Sequence, residues 1–157
     1  MLLDLAVATG LFQPVEAETL LGGVLAALHA GELGDGHVAL VSAPDAAHPP
    51  VGWVYFGPDS HNDGVWNLWW IGVAPTAQGR GIGGDLLRAV EVAVQSAAGR
   101  VLVIETSGLP QIARTRAFYT HRGYVECGRV PDFYAVDDDK VIFVKRLHRV
   151  TALEDAT

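Results

Sequence analysis

Apolar residues first recur at helical spacing at Leu20, Leu21, Val24, Leu25 and Leu28. Pro14 suits the first turn of that helix, and Glu16 and Glu18 put carboxylates where the helix dipole favours them. Gly22 and Gly23 interrupt the stretch at a cost of about 1 kcal/mol each relative to alanine, so the helix depends on packing. The glycines at 34 and 36 end it. Residues 37–42 and 51–56 then read as strands, separated by turn-rich Ala43-Pro44-Asp45 and His48-Pro49-Pro50. Gly57-Pro58-Asp59 opens a polar loop over 60–64, and residues 65–73, rich in aromatic and β-branched side chains, form a third strand.

A helix follows over 85–98, with Leu86, Leu87, Val90 and Val94 on one face and Gly99 as its stop. Residues 101–104 are continuously apolar, as in the buried middle of a sheet. A further helix over 111–122 ends at Gly123, and strands over 124–130 and 140–147 close the chain. The order predicts one α/β (α+β) domain with a mixed sheet over 1–149, and a loose tail over 150–157.

Composition narrows the possible functions. The chain has 157 residues, 50% hydrophobic and 18% charged, which is enough for a core of its own. Its net charge is −7 and no run of Lys or Arg occurs, so it has no basic stripe to neutralise phosphates and no nucleic-acid partner is expected. The acidity leans toward a cationic or neutral substrate. Cys127 is the single cysteine, which excludes an intrachain disulfide and reads as a small buried hydrophobe on a strand. Six histidines lie scattered without ligand spacing, so no metal is expected. The longest apolar stretch, 20–30, is about half a membrane span. The N-terminus lacks the positive region of a signal peptide. These features predict a soluble, cytoplasmic protein without a membrane partner.

The candidate chemistry lies between the third strand and the next helix, where Val73-Ala74-Pro75-Thr76-Ala77-Gln78-Gly79-Arg80-Gly81-Ile82-Gly83-Gly84 is glycine-rich. Glycines let the backbone approach a ligand and present successive N–H groups, and the helix start adds partial positive charge, which together suit a pyrophosphate. No Gly-Lys-Ser/Thr follows, so this is not a P-loop. Gly79, Gly81 and Gly84 do satisfy G-x-G-x-x-G, and Glu105 lies where a ribose-binding acid would fall. Against a dinucleotide fold stand the late position of the first glycine after its strand, the Trp66, Asn67, Trp69 and Trp70 of that strand, and the hairpin-like ending. A purely structural turn is the plainer alternative.

The pattern Val73-x-Pro75-x-x-Gln78-Gly79-x-Gly81-x-Gly83 resembles the acyl-CoA-binding motif of the GNAT superfamily of N-acetyltransferases. A second segment, Phe118-Tyr119-Thr120-His121-Arg122-Gly123-Tyr124, is similar to its downstream aromatic-Tyr-x-x-x-Gly-aromatic signature. Glu105-Thr106-Ser107, Thr115-Arg116-Ala117, Asp132-Phe133-Tyr134 and Asp138-Asp139-Lys140 are like those of small bacterial acetyltransferases. The resemblance covers nearly the whole chain. It implies a mostly antiparallel central sheet flanked by helices, with acetyl-CoA as co-substrate.

By that resemblance the backbone of Gly79, Arg80, Gly81, Ile82, Gly83 and Gly84, with Gln78, holds the CoA pyrophosphate. Ile71, Gly72 and Val73 pair with the pantetheine arm, in a slot where their strand splays from that of 101–106. Tyr119 matches the family's general acid; its alternative is a packed helix aromatic. Many relatives carry a carboxylate where this chain has Asn67, which can orient an acceptor but takes no proton. Glu105 is the best remaining carboxylate, and the apolar strand before it predicts partial burial and a raised pKa. A structural carboxylate is the equal alternative, with His61, Asp63, Asp132 or a water behind it. Ile112 stands where many relatives have a CoA-contacting asparagine, leaving Arg114 or Arg116 for that contact, with solvated helix-surface residues as the commoner reading of both. Tyr134 is a second acceptor-site candidate, with a loop cap as its alternative, and Trp66, Trp69 and Trp70 read first as sheet packing, with a wall of the acceptor pocket as the alternative for one of them.

The predicted activity is transfer of an acetyl group to a primary amine of a small molecule or peptide, with a homodimer as one possible assembly. O-acyl transfer, a non-catalytic acyl-CoA-binding domain and a dinucleotide-binding protein are the alternatives.

Overall fold

In a computed structural model, residues 1–10 and 12–147 are described. The tail expected over 150–157 lies outside them. Six strands form one sheet in the order β1-β2-β3-β4-β6-β5: β1 Val38–Ser42, β2 Gly52–Pro58, β3 Val65–Val73, β4 Val101–Ser107, β5 Val125–Ala135 and β6 Asp138–Arg146. The pairs β1/β2, β4/β6 and β5/β6 are antiparallel. The α+β class and the antiparallel character follow the sequence expectation. The described residues fall into two compact units, those of Met1–Pro58 with Leu68–Val90, and Asp59–Asn67 with 91–147.

In the first unit, helix α1 (Leu2–Ala8) buries Leu5 and Ala6; hydrophobic periodicity over the N-terminal residues was too short to predict it. The helix expected from Pro14 is α2 (Pro14–Ala17), a π turn (Glu18–Gly22) and α3 (Gly23–Ala30). Gln13 N–H donates to Glu16 Oε2 at 2.9 Å, which caps α2. A Cβ on Gly22 would lie 2.7 Å from Glu18 Oε1, the end of an exposed side chain that can swing away. Gly31, at φ 72°, ends α3, with Glu32 N–H donating to Ala27 O at 2.9 Å in a Schellman closure.

Strand β2 is buried from Gly52 to Gly57, and Trp53, Val54 and Phe56 are wholly enclosed. Trp53, Tyr55 and Trp70 join Leu5, Ala6 and Leu21 in one cluster edged by Phe12, Val24, Leu25 and Leu28. Trp53 and Trp70 keep indole N–H groups without a partner there, at a desolvation cost of about 1–3 kcal/mol each.

In the second unit, β4 alternates, with Leu102 and Ile104 buried. Helix α5 (Ala113–His121) is preceded by a 3-10 turn (Pro110–Ile112) and closed by Gly123 at φ 84°. Tyr119, Tyr124 and Phe143 form its aromatic core. Glu91, on helix α4 (Ile82–Ser96), accepts from Tyr124 Oη and from Lys145 Nζ, both at 2.9 Å. The expected stop of α4 is corrected in detail. Ala98, not Gly99, adopts the left-handed conformation (φ 58°), while Gly99 N–H donates to Val94 O at 2.8 Å. Gly99 is required for a different reason, since a Cβ there would run into Val94 and Trp66. Cys127 is exposed rather than buried, because β5 leaves all but one of its residues open.

Candidate functional site

The glycine-rich segment begins where β3 ends. Pro75 starts a 3-10 turn (Pro75–Ala77) whose Ala77 is buried and pins the segment down. Gln78 then turns back, and its Nε2 donates to Val73 O at 3.1 Å. Gly79 and Gly81 follow at φ 77° and 85°, with open space where a Cβ would sit. Both positions need glycine for conformation rather than for room. Gly79, Arg80 and Gly81 are exposed.

Gly81 O accepts the N–H of Asp85 at 3.0 Å, the first bond of α4. The N–H groups of Ile82, Gly83 and Gly84 therefore precede any intrahelical acceptor, and they carry the positive end of a 15-residue helix. Gly52 seats this helix: a Cβ there would lie 3.1 Å from Ile82 Cγ2 and from Leu86 Cδ1, and 3.2 Å from Gly72 O. Exposed left-handed glycines running into unpaired helical N–H groups form a cradle of the kind that can hold an anion.

In the other unit, Tyr119 is 3% exposed and packs its ring against Phe118, Tyr124 and Phe143 at 5.5, 6.0 and 5.6 Å. Burial pushes its phenol well above the ordinary tyrosine range, so it stays protonated. Glu105 departs from expectation. Strand alternation that turns Leu102 and Ile104 inward turns Glu105 out, leaving its side chain 45% exposed with Lys140 Nζ at 2.7 Å. The predicted partial burial is not found.

Lys140 Nζ also lies 3.6 Å from the centre of the Phe133 ring. Tyr134 meets Phe133 edge-on at 5.1 Å. Its phenol is raised by partial burial first, then by the charges of Glu105 and Asp138. The second unit thus brings Glu105, Lys140, Phe133 and Tyr134 together.

Asn67 Nδ2 donates to Asp59 Oδ2 at 3.5 Å. Asp59 organises the polar loop by accepting from the N–H groups of His61 and Asn62 and from Asn62 Nδ2, and these bonds hold its carboxyl below the usual range, that from the His61 N–H most of all. His61 bonds Ser60 Oγ at 2.8 Å, and Asp63 is exposed. Asp132, at φ 53°, donates its N–H to Asp139 Oδ1 at 3.2 Å. Ile112 is buried. Arg116 is not a solvated helix residue: its Nη1 donates to Ser107 O at 2.8 Å and Leu109 O at 2.9 Å, tying α5 to the end of β4. Arg114 is exposed. Among the described residues no group of three or more His, Cys, Asp or Glu could hold a metal ion, and no helix is long and apolar enough to cross a membrane.

Sequence reasoning missed one arrangement in the first unit. The rings of His37, Tyr55 and Trp69 stack, although they lie far apart in the chain.

Residues 35–126 match the family model described as an acetyltransferase (GNAT) domain. The chain belongs to the GNAT family of acetyltransferases. A protein from Desulfovibrio desulfuricans assigned to the GNAT family shares 32% identity over 93% of this chain and 90% of its own, with a TM-score of 0.84. More distant GNAT-like folds include an aminoglycoside 6'-N-acetyltransferase complexed with coenzyme A, at 17% identity, 94% and 89% coverage and a TM-score of 0.71. A Salmonella typhimurium protein with its cofactor acetyl-CoA has 19% identity, 92% and 81% coverage and a TM-score of 0.64. A search of curated proteins gave no match. Membership in the GNAT family makes the chain an acyltransferase by family, and the glycine cradle is the segment on which the resemblance first rested.

Proposed function

We propose that this GNAT protein is an acetyl-CoA-dependent N-acetyltransferase acting on a primary amine of a small molecule or peptide. The observation that carries the reading is the cradle itself: left-handed, exposed Gly79 and Gly81 leading into the unpaired N–H groups at the start of α4. That cradle suits the pyrophosphate of acetyl-CoA, whose thioester supplies the acetyl group. Ile71 and Gly72 offer backbone to the pantetheine arm, while the Val73 carbonyl is held by Gln78. Both relatives solved with CoA or acetyl-CoA support this ligand.

The acceptor nitrogen must be neutral to attack the thioester carbon, and the C–S bond must break with a proton available to the sulfur. We assign to Tyr119 the hydrogen bond to the departing sulfur; the C–S electron pair leaves on that sulfur as a thiolate, which takes its proton from water. A buried phenol resists ionisation, so it serves as a hydrogen-bond donor that stabilises the departing sulfur rather than as a strong acid. Glu105 is the carboxylate proposed to receive the amine proton. It already binds an ammonium, that of Lys140 at 2.7 Å, so a substrate ammonium can take the same oxygen. Asn67 and Tyr134 are proposed to orient the acceptor.

The test is thiol release from acetyl-CoA over a panel of primary amines, beside alcohols of the same shape. Amine-dependent release with the acetyl amide as product supports the reading. Release driven by alcohols points to O-acyl transfer. CoA binding without turnover of any acceptor points to a non-catalytic acyl-CoA-binding domain.

A further inference from the structure

Three of the four tryptophans are buried, whereas Trp69 is 46% exposed in the middle of β3. It is not a stray surface aromatic. Its ring lies parallel to that of His37 at 5.3 Å, with an interplanar angle of 2°, and stacks on Tyr55 at 5.0 Å. His37 Nδ1 and Tyr55 Oη are joined at 2.8 Å, which fixes both supporting rings. His37 is delivered by a turn with Gly34 and Gly36 at φ 83° and 87°. The strand beneath is cut away for the stack: a Cβ on Gly57 would lie 2.8 Å from His37 Nδ1 and 2.9 Å from Trp69 Cζ3. Backbone, hydrogen bond and glycine together hold one indole with a large part of its surface open.

We propose that Trp69, braced by His37 and Tyr55, is a specificity wall for the acceptor, and that it selects an organic cation: an amine acceptor carrying a second protonated amine. The inference rests on the acetyl-transfer reading above. Two features support it. An indole face is the best aromatic partner for a cation, and its attraction grows as water is excluded. Trp69 is also two residues before Ile71, about 7 Å along an extended strand, on the side away from the glycine cradle. A pantetheine arm laid from the cradle back along Val73 and Ile71 would run toward this wall. The chain's net charge of −7 favours the approach of such a cation.

The experiment is a ligand-observed NMR titration of the protein saturated with CoA, using 1,4-diaminobutane and 4-amino-1-butanol. Both offer the same reacting amine, and they differ in the charge at the far end. In the native protein the diamine binds tighter by roughly 3- to 30-fold. Trp69→Ala abolishes that preference, and Trp69→Phe, which keeps a smaller ring on the same strand, reduces it. Equal binding of the two ligands to the native protein, a preference that survives both substitutions, or no binding of either ligand overturns the proposal. Thiol release, measured in parallel, separates this inference from the function it rests on. A Trp69-dependent preference without acetyl transfer refutes the function and leaves the wall standing. Transfer without the preference does the reverse.

Discussion

The side chain of Gln78 donates to the carbonyl of Val73 at 3.1 Å, so the residue that opens the glycine cradle is clasped to the strand it has just left. This contact spends the last carbonyl of β3 on closing the loop. It sets where Gly79 begins and hence where the N–H groups of the cradle point. Removing one neutral hydrogen bond costs about 0.5–1.5 kcal/mol. Gln78→Ala is expected to weaken acetyl-CoA binding by roughly 3- to 10-fold with little change in melting temperature. Gln78→Glu, which lacks the donor and adds a carboxylate at the mouth of the cradle, is expected to weaken binding at least as much. Calorimetric titration of both variants checks the point; native affinity in either one assigns the glutamine no role.

Tyr119 and Tyr124 are both raised above the ordinary tyrosine pKa, Tyr119 by burial and Tyr124 by burial and the Glu91 carboxylate. In the unfolded chain each ionises at about pH 10, as a free tyrosine does, while in the folded chain each keeps its proton. The unfolded state therefore holds fewer protons above that pH, and stability falls as pH rises. Below pH 10 the contribution is fully present. Denaturant melts from pH 8 to 11 are expected to show the midpoint dropping above pH 10, and less steeply in Tyr119→Phe.

The proposed hydrogen bond from Tyr119 to the departing sulfur gives Tyr119→Phe a kinetic signature. A general acid contributes typically 10²–10⁴-fold, and a hydrogen-bond donor that does not ionise belongs near the lower bound. The expected loss in kcat is about 10²-fold with acetyl-CoA affinity retained. Steady-state kinetics with a saturating amine measure it, and an unchanged kcat returns Tyr119 to the aromatic core as a packing residue.

Ala98 holds φ 58° after α4. A Cβ in the left-handed region costs roughly 1–2 kcal/mol, part of which a glycine loses again to chain entropy. Ala98→Gly is expected to stabilise the fold by about 0.5–1 kcal/mol, read as a higher denaturation midpoint at unchanged slope.

Much of this fold was legible because its signals are local. Residues 65–73 were bounded as a strand and are one, and the glycine-rich segment marked the passage into α4, although the helix starts at Ile82 and takes in Gly83 and Gly84 rather than waiting for Asp85. What escaped depends on partners remote in sequence. Glu105 follows an apolar run, yet strand alternation and Lys140, 35 residues on, decide that it faces out. Cys127 reads as a core residue until β5 is seen to be open on both faces. Arg116 gave no hint that it would be spent on the carbonyls of Ser107 and Leu109. The stack of His37, Tyr55 and Trp69 joins three separate segments, and a lone histidine before a strand carries no local trace of it.

The central claim is that the cradle at Gly79–Gly84 binds acetyl-CoA, and a thermal-shift titration tests it most directly. Native protein and a Gly81→Glu variant are melted with acetyl-CoA, CoA and NAD. At φ 85° a glutamate is strained, and its carboxylate repels a pyrophosphate. Acetyl-CoA and CoA are expected to raise the melting temperature of the native protein and not of the variant, with NAD silent in both. No shift with either CoA species in the native protein, or an equal shift in the variant, contradicts the account.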